Sequence, residues 1–297
     1  VDTQPSLAKV LARDSAGKQN QLSKFKFGRH YLDLTHPQVM GILNVTPDSF
    51  SDGGRYNSLD KAFYHVESML QAGASLIDVG GESTRPGAAP VSLQQELDRV
   101  IPIIEALNQR FDPVISLDSS CPEVMLEASK RGIGLINDVR ALQRPGALAM
   151  VARLEVPVCL MHMQGTPQTM QSNPSYVDVV AQVKTFLLER IASCQQAGIR
   201  TESIIIDPGF GFGKTLEQNC QLLRQLDALA RLGYPVLVGL SRKSMIGAVL
   251  DLEINQRLAG SLALAVLAVS QGACIIRAHD VGPTVEAVKM AQAVLHE

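Results

Sequence analysis

The sequence has no tryptophan, and aromatic residues make up only 4% of its 297 positions. With hydrophobic content at 46%, a sizeable core must be assembled from Ile, Leu, Val and Ala, the composition of strands buried on both faces. The five cysteines, Cys121, Cys159, Cys194, Cys220 and Cys274, are odd in number and widely spaced, with no Cys-x-x-Cys pair. That pattern speaks against a disulfide framework or a cysteine zinc site and leads us to expect a reducing, cytoplasmic setting. Long apolar runs are missing too: the longest, Leu262 to Val269, is too short to span a bilayer, and no leader peptide is legible at the start. There is no block of Lys or Arg, and a net charge of −2 argues against nucleic-acid and membrane-surface partners.

What the chain does have is a repeated rhythm. A short apolar run, Val39 to Leu43, ends at polar Asn44 and gives way to a loop of Thr, Pro, Asp, Ser and Gly that continues to Gly54. A helical pattern over Leu59 to Ala72 follows, then a second run from Ser75 to Gly80, which together make a βαβ unit. The unit recurs, with buried runs at Val114–Leu117, Leu135–Ile136, Val158–Met161, Ile204–Ile206, Val236–Val238 and Cys274–Ile276. Helices are predicted between them, at Pro122–Arg131, Ala147–Arg153, Val177–Ala197 and Gln256–Val269 among others. Two helix starts carry capping boxes, Ser92-x-x-Gln95 and Thr215-x-x-Gln218.

Eight strands and eight helices without a break in composition predict one closed (β/α)8 TIM barrel over residues 25–297 rather than two open sheets. Residues 1–24 read as an irregular N-terminal extension. Phe25 to Leu34 alternates around Gly28-Arg29 and predicts a short hairpin, usable as a plug under the first strand.

In such a barrel the C-terminal strand ends face one mouth. Asn44, Asp78, Asp118, Asn137, His162, Asp207, Lys243, Arg277 and His279 all fall there. Any one of them alone is equally well explained as a cap for the next loop or helix; the set points to a polar site. Lys243 and Arg277-Ala278-His279-Asp280 follow the seventh and eighth strands, where barrels often bind phosphate, so an anionic group is expected beside them. His279 could bind a ligand or simply start a helix, and His162, between Met161 and Met163, reads as structural. Asp207-Pro-Gly-Phe-Gly-Phe-Gly-Lys214-Thr215 suggests a nucleotide loop, yet Pro208 stands where a P-loop needs its first glycine. A flexible glycine loop against a flat ligand, with Phe212 able to stack, fits better, although Phe50, Phe212 and the two methionines could equally be core.

Five motifs, in order, resemble bacterial dihydropteroate synthase. They are Leu43 to Asp52, Asp78-Val-Gly-Gly-Glu-Ser-Thr-Arg-Pro-Gly87, Asp207 to Lys214, Ser241-Arg-Lys-Ser244 and Arg277-x-His279-Asp280. The resemblance implies condensation of 6-hydroxymethyl-7,8-dihydropterin diphosphate with p-aminobenzoate, giving 7,8-dihydropteroate and diphosphate. It implies that Asp118, Asn137, Asp207 and Lys243 hold the pterin, with Met161 beside it, and that Asn44, Arg277 and His279 meet the diphosphate, Asn44 also on Mg²⁺. Thr84, Arg85, Pro86, Phe212, Ser241 and Lys243 would form the p-aminobenzoate pocket, where sulfonamides bind in the family. Where the family usually has Asp-Thr-x-Lys or Asp-Thr-x-Arg, this chain reads Asp118-Ser119-Ser120-Cys121. If the missing cation is a partner of Asp118, weaker pterin affinity is expected. A methyltetrahydrofolate-dependent methyltransferase and a silent, pterin-binding paralogue are the competing readings. The apolar late helices, above all Gln256 to Val269, fit either a homodimer contact or simple burial by neighbours.

Overall fold

The computed structural model describes residues 22–45, 55–82, 91–166, 169–171 and 174–295, the side chains of 55–58 aside. Most of the expected N-terminal extension, and Phe50, Thr84, Arg85 and Pro86, lie outside the described residues. A hairpin comes first, β1 (Phe25–Phe27) paired antiparallel with β2 (His30–Leu32). Its turn needs Gly28, whose φ is +58° and whose position would set a Cβ 3.1 Å from the carbonyl oxygen of Ile133.

The barrel strands are β3 (Gln38–Asn44), β4 (Leu76–Gly80), β5 (Val114–Asp118), β6 (Leu135–Asp138), β7 (Val158–Met161), β8 (Ile204–Asp207), β9 (Leu237–Val238) and β10 (Ile275–Ala278). They are parallel and ordered β8-β7-β6-β5-β4-β3-β10-β9. One parallel bridge, Ile206 to Val236, joins the two ends, so the eight strands close on themselves as a TIM barrel.

Alternation along each strand divides the residues between the barrel interior and the helix layer. At the N-terminal end every strand sends one apolar residue inward: Met40, Leu76, Val114, Leu135, Cys159, Ile205, Leu237 and Ile275. Phe25, Phe27 and Leu34 pack on this layer from below, so the hairpin is the plug the sequence suggested. The outward residues, such as Val39, Ile77, Ile115 and Ile206, join the larger core beneath the helices.

Those helices are α1 (Arg55–Gln71), α2 (Leu93–Arg110), α3 (Pro122–Ser129), α4 (Ala147–Leu154), α5 (Val179–Gln196), α6 (Leu216–Arg224), α7 (Asp227–Ala230), α8 (Ser244–Leu250), α9 (Leu258–Ser270) and α10 (Val281–Leu295). Both predicted capping boxes form, at Ser92 and at Thr215. The expectation of one helix per strand is corrected at two places. The segment after β8 breaks into α6 and α7, and α8 precedes the apolar helix after β9. That helix starts at Leu258 rather than Gln256, because Asp251 in the left-handed region ends α8 and residues Ile254–Gln256 form a 3₁₀ turn. Arg257 stitches the turn, donating to the backbone carbonyls of Leu252 at 3.0 Å and Arg242 at 3.2 Å. Likewise α5 starts two residues later than expected, where Asp178 accepts from the backbone N–H of Val180 and Ala181.

Candidate active site

Two residues above the sealing layer, five of the eight inward positions turn polar, while β3 contributes Ile42. Asp78, Ser116, Asn137, Asp207 and Arg277 occupy them, with Met161 on β7 and Gly239 just beyond β9. Asp78 is fully buried and collects Ser116, Asn137 and Arg277. Ser116 Oγ donates to its Oδ1 at 2.6 Å, Arg277 Nε donates to its Oδ2 at 2.6 Å, and Asn137 Nδ2 lies 3.4 and 3.3 Å from the two oxygens. The second arm of Arg277, Nη2, donates to Asp118 Oδ2 at 3.0 Å. One guanidinium therefore bridges two carboxylates that lie 199 and 159 positions away from it in the chain.

The electrostatics follow from that crowding. Burial, and then the charge of Asp78, push Asp118 up to about 7 although Arg277 opposes them. Burial pushes Asp207 up to about 6 against a hydrogen bond from the Gly209 N–H at 2.7 Å and the charge of Lys243. Burial also works against the charged form of Arg277, but Asp78 and Asp118 outweigh it and hold the guanidinium firmly protonated.

Asp207 opens the glycine loop, and Lys214 closes it. Its Nζ, almost completely buried, donates to the carbonyls of Gly209 at 2.8 Å and Phe212 at 3.0 Å and meets His162 Nδ1 at 3.0 Å. This lysine is an internal peg for the loop, which disposes of the P-loop reading. Burial and the neighbouring Lys214 push His162 down to about 3, so it stays neutral and structural, with Phe186 edge-on at 4.9 Å. Gly209, at φ +69°, admits no side chain: a Cβ there would sit 1.9 Å from the His162 carbonyl oxygen.

Lys243 reaches over Phe212, with Nζ 4.1 Å from the ring centroid. Burial and the nearby Arg277 lower Lys243 to about 8. Ser241 Oγ lies 3.0 Å from His279 Nδ1 and accepts the His279 backbone N–H at 3.2 Å. Burial, followed by the Arg277 charge, pushes His279 down to about 4. Arg242 forms a fork on Asp280, fixing the turn between them. Asn44 ends β3 beside Gly80, half-buried at the rim.

A narrow cleft of about 30 Å³ is bounded by Asp118, Asn137, Met161, Asp207, Phe212, Lys243 and Arg277. The sequence had named these seven; Val139, Gly209, Phe210 and Gly239 line the cleft too and were not among its site residues. It placed Asp78 at the mouth but gave it no role, and it passed over Ser116 altogether.

Comparison with known proteins gives this geometry a family. Residues 40–279 match the family model of pterin binding enzymes. The dihydropteroate synthase of Escherichia coli strain K12 is 58% identical over 264 residues, 89% of this chain and 94% of that one. The chain belongs to the dihydropteroate synthase family. The synthase of Haemophilus influenzae is 57% identical over 88% of this chain and 95% of its own length. Among solved structures, the Yersinia pestis synthase in a sulfonamide drug complex superposes with a TM-score of 0.86 at 55% identity, over 90% of this chain and 97% of that one. The Xanthomonas albilineans synthase with 4-aminobenzoic acid gives 0.87 at 49% identity, over 92% and 99% of the two chains.

Against the family's usual motif, Cys121 is this chain's departure, and the structure shows where it points. Its Sγ donates to Glu123 Oε2 at 3.1 Å, its backbone N–H is held by Ser119 Oγ, and its side chain is buried in the helix-layer core. Asp118 pairs with Arg277, which comes from β10, three strands away round the barrel. The expectation that a missing cation at position 121 weakens the pterin site through Asp118 therefore finds no contact to act through.

Proposed function

We propose that this chain catalyses the family's reaction, joining dihydropterin diphosphate to p-aminobenzoate with release of diphosphate. The observation that carries the reading is the juxtaposition in one cleft of the acceptors Asp118, Asn137 and Asp207 with the donors Lys243 and Arg277. A pterin edge offers N–H donors to carboxylates, and its carbonyl and ring nitrogen suit a lysine. Thr84, Arg85 and Pro86, with Phe212, Ser241 and Lys243, would hold p-aminobenzoate, and sulfonamides would compete for that place.

His279 and Arg277 stand at the diphosphate end. Because Ser241 Oγ accepts a backbone N–H, its own O–H is free to donate to His279 Nδ1, which leaves the imidazole proton on Nε2. A neutral histidine then presents a donor to a departing anion. Asn44, half-buried at the rim, would supply one amide oxygen. That donor set suits Mg²⁺, which takes few protein ligands and keeps water and phosphate oxygens. When bound, Mg²⁺ would neutralise charge on the diphosphate. The substitution is dissociative: the C–O bond to the diphosphate breaks and leaves a cationic methylene on the pterin, Arg277 and His279 stabilise the departing diphosphate, and the neutral aniline nitrogen attacks the methylene and then gives up a proton to the diphosphate or to solvent. No side-chain nucleophile is needed, so rapid quenching should trap no covalent enzyme adduct.

Exposed apolar side chains on the last helices, Leu258, Leu267, Met290 and Val294, support pairing with a second copy there. Sedimentation should give a dimer mass. No helix among the described residues is long and apolar enough to cross a membrane. The five unpaired cysteines support a reducing, cytoplasmic setting. The deciding assay supplies both substrates and Mg²⁺: 7,8-dihydropteroate should appear by mass spectrometry with equimolar diphosphate. Diphosphate release that ignores p-aminobenzoate would contradict the assignment.

A further inference from the structure

The cleft poses a steric problem. At about 30 Å³ it is far smaller than the roughly 300 Å³ at which ordinary ligand pockets begin, although it shares Val139 and Met161 with a neighbouring cavity of about 490 Å³, and movement of a lining group would widen it for a bicyclic ring. Arg277 is the group placed to do so. Its Nη2 occupies Asp118, one of the carboxylates a pterin would need, while its Nε is held elsewhere.

We propose that Asp78 is the positioning residue of this site, anchoring Arg277 through Nε so that the guanidinium can release Asp118 to an incoming pterin and turn its free arm toward the diphosphate. The proposal rests on the reading of the site given above. Asp78 is suited to the task because it cannot serve the ligand directly. It is completely buried, both its oxygens are engaged, and its partners Ser116, Asn137 and Arg277 surround it. Asp118 is the more exposed of the two carboxylates, 12% against 0% for Asp78, so it is the one that can exchange partners. The exchange keeps every charged group hydrogen-bonded. Asp118 trades a guanidinium N–H for a pterin N–H, and Arg277 trades one carboxylate oxygen for a phosphate oxygen while keeping the other. A further consequence concerns Asn137. With Nδ2 turned to Asp78, its Oδ1 is left to face the cleft as an acceptor.

The experiment compares binding of 6-hydroxymethyl-dihydropterin with that of its diphosphate by calorimetry, in Mg²⁺, for the wild type, Asp78→Asn, Arg277→Lys and the double variant. Loss of a charge-assisted anchor should cut the preference for the diphosphate form by about tenfold or more in Asp78→Asn, with bare pterin affected less. The double variant should lose no more than the worse single variant, since both substitutions break one linkage. Additive losses, or an unchanged preference in folded Asp78→Asn, would overturn the role of Asp78. A wild type that does not prefer the diphosphate form would instead overturn the reading of the site itself. Should Asp78→Asn fail to fold, Ser116→Ala decides: a loss of about threefold in the same ratio supports the anchor, and a wild-type ratio refutes it.

Discussion

The lower and upper halves of the barrel interior are built by the same strands and differ by two residues of register. Below, Met40, Leu76, Val114, Leu135, Cys159, Ile205, Leu237 and Ile275 form a dry layer closed by Phe25 and Phe27. About 7 Å higher along the strands, at two residues' rise, the inward side chains include Asp78, Ser116, Asn137, Asp207 and Arg277. The first layer gains from burial what the second loses to it. Packing apolar side chains stabilises, whereas burying two carboxylates, Asp78 and Asp207, and the guanidinium of Arg277 in one layer costs desolvation that pairing only partly offsets. The contrast teaches that the fold tolerates its site because a complete apolar layer lies directly beneath it.

The comparison can be broken most severely from above. Asp207→Asn should reduce turnover by roughly 10- to 100-fold or more, because a pterin N–H loses its charged acceptor; steady-state diphosphate release checks this. Below, Leu76→Ala should cost about 2–5 kcal/mol of stability by urea unfolding while leaving the Michaelis constants close to wild type. A large change in those constants would mean the two layers are not separable. A smaller effect sharpens the division electrostatically. Burial pushes Asp118 up to about 7 and Asp207 up to about 6, and their ionised forms are the stronger acceptors of N–H bonds, so pterin affinity should fall as pH drops through that interval. Calorimetry from pH 5.5 to 8 should show the slope, and a flat profile would contradict it. Smallest of all, Cys121→Lys should change pterin affinity by no more than about twofold, because that side chain faces Glu123 outside the barrel.

Much of this division was legible in the sequence, for a physical reason. Buried parallel strands are short apolar runs, and the residue at which each run turns polar marks the mouth, so Asn44, Asp118, Asn137, Asp207 and Arg277 could be read directly. Asp78 was visible but its function was not, because its meaning lies in a hydrogen bond to a residue 199 positions away. Ser116 looked like one polar residue inside an apolar strand. Lys214 offered a misleading local pattern, since a lysine after glycines resembles a phosphate loop until its Nζ is seen bonded to that loop's own carbonyls. The extra helix α8 was missed because the end of a helix at Asp251 depends on one left-handed backbone conformation that composition does not announce.

The account's central claim is that the upper layer exists for binding and is carried at a cost to the fold. Asp207 tests it through stability as well as activity. Its folded-state pKa, about 6, lies above the ordinary carboxylate value, so folding takes up a proton and stability is lost as pH rises from about 4 through 6. Asparagine removes that loss. Unfolding of the wild type and Asp207→Asn should be measured at pH 5 and pH 8: the account predicts that the variant, though nearly inactive, gains stability relative to wild type at pH 8 compared with pH 5. A variant that loses more stability at pH 8 than at pH 5 would show that the ionised carboxylate holds the barrel together, and would contradict the account.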